Sequence, residues 1–173
     1  MKKFLPILML AFVGLFIFSC KDDNDDVDYD TYSQVRDITA TFNNGNNYAV
    51  TQGINVQSTD VVLVYRRSGD AWQQIPKTIY IDNASTPGAR KFDYNFVFDN
   101  KDVQVRIDDE NFNLATGLNN AETNDYLNNQ VFRIVLVPAS AAKTSSSVDF
   151  KDYSAVIKFY NLNDSNVKNT TIN

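Results

Sequence analysis

Apolar and polar residues alternate along most of the chain beyond residue 32, with the period of half-buried β-strands. Ile38, Ala40 and Phe42 alternate with Asp37, Thr39 and Thr41. The Asn-rich turn at 43–47 then predicts a returning strand at 48–51, the second arm of a hairpin. Asp60-Val61-Val62-Leu63-Val64-Tyr65 is nearly continuous in apolar character, which predicts a strand covered on both faces. A turn at 66–70 leads to its expected partner at 72–75, and Pro76 limits the following segment, 78–81, to a short or edge strand. In the clearest strand, 92–98, Phe92, Tyr94, Phe96 and Phe98 share one face while Asp93, Asn95 and Val97 take the other. Asp99-Asn100-Lys101 turns the chain into Val103, Val105 and Ile107, closing a hairpin. A second long apolar run at 130–137 ends at Pro138 and is expected to be a central strand.

Two segments depart from this period. Around 123–127 the pattern allows one helical turn inside an otherwise polar stretch. Phe150, Tyr153, Val156 or Ile157, and Tyr160 recur every three to four residues, predicting an amphipathic helix over about 149–160 packed on the sheet and capped by Ser147. Residues 82–90 read as a long polar loop and 163–173 as a polar tail. The expectation is a mainly β protein: six to nine strands in an antiparallel β-sandwich, immunoglobulin-like or a partly closed barrel, with one C-terminal α-helix. A single domain is expected over 32–162, without internal repeats.

The first 31 residues have a different character. Lys2-Lys3 opens an apolar run at 4–18, and Ser19 directly precedes Cys20, the lone cysteine. A basic start, an apolar core and a small residue before a cleavage point are the layout of a secretory signal, and a cysteine after that point resembles a bacterial lipoprotein signal peptide over 1–19. Phe18 stands where such signals usually carry a small or aliphatic residue. The run is shorter than the ~20 apolar residues that span a bilayer, and it contains Pro6 and Gly14. The resemblance implies that Cys20 carries a diacylglyceryl group and an acylated amine, anchoring the chain in membrane lipid; two or more acyl chains hold firmly where one does not. Six aspartates lie between Lys21 and Asp30, so 20–31 is expected to be an acidic tether. Its Asp22–Asp26 run lacks the turn glycine and terminal glutamate of an EF-hand loop, which argues against calcium. Lys21-Asp22-Asp23 resembles the export signal of surface lipoproteins in the Bacteroidetes, which implies an outer-membrane protein facing the cell exterior.

Charge and composition narrow the chemistry further. Without the leader lysines the chain has 14 basic and 21 acidic residues, net −7, of which −5 resides at 21–30. The folded part is therefore nearly neutral and lacks the basic footprint of a nucleic-acid binder. Histidine is absent and no thiol remains after lipidation, which excludes Ser-His-Asp and Cys-His catalysis, Cys/His zinc sites and thiol redox work. Asp108-Asp109-Glu110 is the compact carboxylate cluster of the folded part; the aspartate-rich turn is the simpler reading, and a carboxylate-dependent hydrolase using Asp108 and Glu110 is the alternative. No catalytic residue, metal site or cofactor is assigned. The sequons at Asn83, Asn163 and Asn169 carry little information in a bacterial lipoprotein.

Asp60-Val61-Val62-Leu63-Val64-Tyr65, Trp72 with Ile75-Pro76, Asp102-Val103-Gln104-Val105, and the run from Val131 through Pro138 to Ala139 are together similar to a family of small Bacteroidetes lipoproteins. The resemblance covers most of 35–160 and brings no activity. The expected function is a non-catalytic, lipid-anchored envelope module that binds a glycan or an envelope protein. Trp72, Tyr65, Arg66 and Arg67, around one hairpin end, are the candidate contact residues, the Phe92–Phe98 stripe being read as core.

Overall fold

The computed structural model describes residues 33–56, 60–139 and 148–172. The expected leader, Cys20, the export signal Lys21-Asp22-Asp23 and the tether lie outside the described residues, as does Ser147. Nine strands follow in order: β1 (Gln34–Ala40), β2 (Ala49–Gly53), β3 (Val61–Ser68), β4 (Ala71–Gln74), β5 (Lys77–Tyr80), β6 (Lys91–Phe98), β7 (Asp102–Asp108), β8 (Gln130–Val137) and β9 (Asn169–Ile172). Helix α1 (Asn120–Tyr126) precedes β8, and helix α2 (Tyr153–Phe159) precedes β9. They form a five-stranded sheet, β4-β3-β8-β1-β9, and a four-stranded sheet, β2-β7-β6-β5, and neither closes into a barrel. The protein is a mainly β, sandwich-type fold.

Strand alternation builds its core. Val62, Val64, Phe132, Ile134 and Leu136 from the five-stranded sheet meet Phe92, Tyr94, Val103 and Val105 from the other sheet. Phe42, Phe132 and Tyr94 pack mostly edge-on, with ring centroids 5.5–6.0 Å apart. Leu63, Tyr65, Val135 and Val137 point the opposite way, under Tyr153 and Val156 of α2. The two apolar runs in the sequence therefore are the two central strands, buried on both faces. Each such side chain contributes about 1.5–3 kcal/mol by leaving water.

Some expectations needed correction. β1 and β2 do not form a hairpin: β1 pairs with β8 and β2 with β7, in different sheets. Between them the Asn43 carboxamide accepts the backbone N–H groups of Gly45 and Asn46, winding the turn into a short 3₁₀ segment that sends the chain across to the other layer. α2 starts at Tyr153 rather than near 149, because the Asp152 side chain accepts the Ala155 N–H and caps it there. The polar tail contains β9, which joins β1 in parallel, so the sheet extends beyond residue 162. The β6–β7 hairpin, the β3–β4 pairing and the edge position of β5 match the sequence pattern. Phe92 and Tyr94 are core, whereas Phe98, at the end of the same face, is 48% exposed.

That gradient along one face predicts unequal costs. Phe132→Ala should lower unfolding stability by about 3–5 kcal/mol. Phe98→Ala should stay within about 0.5 kcal/mol, both read from urea denaturation midpoints.

Candidate functional site

The four candidate contact residues do not share a surface. Alternation along β3 sends Tyr65 and Arg67 to the helix-covered face and Arg66 to the face that meets the other sheet. Tyr65 has no exposed surface and donates its hydroxyl to the Phe150 carbonyl at 2.7 Å, so it cannot touch a partner. Trp72 packs on Tyr153 and lies over two guanidinium groups, Arg133 at 4.3 Å and Arg67 at 5.8 Å. It is a half-buried wall of the second core rather than a free anchor. Arg67 is exposed, and its Nε donates to the Gly69 carbonyl.

Arg133 is the centre of a closed charge cluster that the sequence pattern did not single out. It interrupts the apolar run of β8 on the helix-covered face, opposite Asp37 of β1 and Tyr65 of β3. Its Nε and Nη2 form a bidentate pair with Asp37 at 2.7 and 2.8 Å. Nη1 donates to the Tyr153 hydroxyl and to Asp164 Oδ2 at 3.3 Å, and Tyr153 donates in turn to Asp164 at 2.7 Å. Burial and the Asp164 bond push the Tyr153 phenol up against the opposing pull of Arg133, keeping its proton available to Asp164. Two carboxylates neutralise one guanidinium, and the cluster ties the C-terminal segment to the sheet. A charged residue inside an apolar strand was the sequence signal for such a partner set.

Arg66 is equally buried, at 7% exposure, but its surroundings differ. Nε and Nη2 donate to Gln130 Oε1 at 3.1 and 2.7 Å, and Nη2 also donates to the Asp125 carbonyl at 3.0 Å. The guanidinium carbon lies 4.8 Å above the Tyr94 ring. Burial pushes the Tyr94 phenol up while the Arg66 charge pulls the other way. Every partner is neutral: among the described residues no carboxylate forms an ion pair with Arg66. Arg66 lines an open groove of about 490 Å³ between the β3–β4 turn and the α1–β8 connection.

The groove's far wall is firmly placed. Asn119 and Glu122 form a reciprocal capping box at the start of α1. Arg90 reaches from the long loop to Glu122 at 2.8 and 3.1 Å and to Asp82 at 2.8 and 3.0 Å. The hydrogen bond from Arg90 holds the Asp82 carboxyl down at about 2, and the same guanidinium lowers Glu122. Arg90 and Glu122 escaped the sequence reading because 32 residues, the β6–β7 hairpin among them, separate the pair, whereas the Asn119–Glu122 spacing was a local capping-box signal.

The remaining candidate chemistry is dispersed. Asp108 Oδ2 accepts from Arg106 Nε at 2.8 Å and from Asn95 Nδ2 at 3.1 Å, on the outer face of the four-stranded sheet. Glu110 is exposed and lines a separate depression with Tyr48 and Phe112. Among the described residues no group of three or more His, Cys, Asp or Glu side chains is placed to hold a metal. No protein-family model, curated protein or solved structure matches the chain.

Removing Arg133 leaves the largely enclosed Asp37 carboxylate, 13% exposed, without its counter-charge. Arg133→Met should therefore destabilise the fold by about 3–5 kcal/mol, measured by chemical denaturation. For Asp82 and Glu122 the folded-state values lie below the ordinary 3.8 and 4.5. Their contribution is complete above about pH 4.5 and is lost as pH falls toward 2. The melting temperature should fall across that window, and the Arg90→Gln variant should show a flatter profile over the same range.

Proposed function

We propose that the chain is a non-catalytic, lipid-anchored module of a bacterial outer membrane, held by an acylated Cys20 and presenting its β-sandwich to the cell exterior to bind a glycan or an envelope protein. One observation carries the reading. The lone cysteine sits directly behind a basic-then-apolar leader and directly ahead of Lys21-Asp22-Asp23. Thirteen residues separate Cys20 from β1, a reach of at most roughly 45 Å when extended. That length clears a lipid headgroup layer and leaves the sandwich loops accessible. The fold itself is a general platform, so recognition has to come from a local site rather than from the architecture.

The similarity of the β3, β4, β7 and β8 segments to small Bacteroidetes lipoproteins supports the same localisation. Cells grown with a labelled fatty acid should yield a labelled chain, and Cys20→Ser should abolish the label and leave the precursor mass unchanged. Protease treatment of intact cells should remove the domain while a periplasmic control survives. Protection of the domain from protease would overturn surface display, and an unlabelled wild-type chain would overturn the anchor.

A further inference from the structure

We propose that the Arg66 groove binds the monoanionic group of an acidic saccharide, a uronate carboxylate or a sulfate ester. This rests on reading the domain as a binding module. A guanidinium is a permanent cation, and a charge taken out of water without a counter-ion is costly. The same fold shows how it neutralises a buried arginine when the purpose is structural: Arg133 has Asp37 and Asp164. Arg66, at the same 7% exposure, has among the described residues only amide and carbonyl oxygens, the Tyr94 ring and hydroxyl, and a groove. An incoming oxyanion supplies the missing charge and gains a guanidinium already held in place, which lowers the ordering cost of binding.

The lining selects the rest of the ligand. Asn124 Nδ2, Asn128 Oδ1, the Asn129 carboxamide and the Ser68 hydroxyl enter no hydrogen bond among the described residues. Such groups donate and accept, as sugar hydroxyls do. The groove presents no exposed large apolar side chain of the kind that anchors a protein interface. Asp125 also lines it, on the exposed side of α1. Arg66 and Arg67 against Asp125 leave the groove lining a net single positive charge, which suits a single negative charge better than the double charge of phosphate.

The test is a titration of the full chain, made with its own leader and purified in mild detergent, at constant ionic strength. Ligands are sodium glucuronate, N-acetylglucosamine 6-sulfate, glucose, acetate and inorganic phosphate. Binding is read by calorimetry and by the side-chain NMR signals of Arg66 Nε–H and the Gln130 amide. One or both acidic sugars should bind with a dissociation constant below about 1 mM and shift those signals. Which of the two binds identifies the anion. Glucose should leave the signals in place, and acetate and phosphate should bind at least ten-fold more weakly than the better acidic sugar.

Asp125→Asn changes an exposed residue and should tighten binding about three-fold by removing a like charge. Arg66→Gln should weaken it at least ten-fold. If that variant does not fold, the wild-type titration and Asp125→Asn decide the matter alone. Equal binding of glucose and glucuronate, tighter binding of phosphate than of the acidic sugars, or unmoved Arg66 signals would overturn the proposal. Fatty-acid labelling at Cys20 is read in separate cells, so the anchor and the groove can fail independently.

Discussion

Burial of the β3–β8 pair on both faces is the constraint from which the rest of the structure follows. One face of that pair is met by the four-stranded sheet. The other would stand in water as a row of Leu63, Tyr65, Val135 and Val137 unless something covered it. α2 and the residues that follow it supply that cover, although α2 has only two turns and little intrinsic stability of its own. Its hold on the sheet is the aromatic contact of Tyr153 with Tyr65 and Trp72, and the charge cluster around Arg133. The chain then continues to β9, which completes the edge beside β1. Each step depends on the one before.

The two buried arginines show how strand alternation distributes charge. Arg66 and Arg133 sit in adjacent strands of one sheet, but Arg66 faces inward with Val62 and Val64 while Arg133 faces outward with Val135 and Val137. Outward, the next strand offers Asp37 and the returning chain offers Asp164. Inward, the neighbours are aromatic rings and the Gln130 amide. The same residue type is thereby a structural clasp on one face and, among the described residues, a cation with neutral partners at a groove on the other. Gln130, with its carboxamide oxygen bonded to Arg66 and its nitrogen donating to the Asn124 and Asn128 carbonyls, stiffens that groove from behind.

Much of this protein's irregular chain is organised by short polar side chains rather than by apolar contact. Asn43, Asn119, Asp99 and Asp152 each accept backbone N–H groups at a turn or helix start. Where loops must also meet one another, Arg90, held to Asp82 of its own loop, joins that loop to the β7–β8 connection through Glu122 and the Gly117 carbonyl. The Asn-rich composition at 111–129 reads as loop in sequence, and it is loop, but with one capped helix and one wall of a groove inside it.

The sequence by itself determined which side chains share a face. Successive Cβ atoms in a strand point to opposite sides, so the alternation of Phe92, Tyr94 and Phe96 with Asp93, Asn95 and Val97, the tight β6–β7 hairpin and the doubly buried β3 and β8 were all legible locally. It also determined the charge balance, the absence of histidine and the lone Cys20. Tertiary structure alone decided which strand lies beside which. β1 and β2 are neighbours in sequence yet belong to different sheets, because the Asn43 turn crosses between layers and the pairing partners arrive much later. It alone decided that Tyr65 is sealed, that Trp72 is a wall, that Arg133 meets Asp37 across 96 residues, and that Arg66 meets no carboxylate among the described residues. The physical reason is one of range. Side-chain direction is set by the local backbone, whereas the neutralisation of a buried charge depends on whichever distant segment the chain's topology brings alongside.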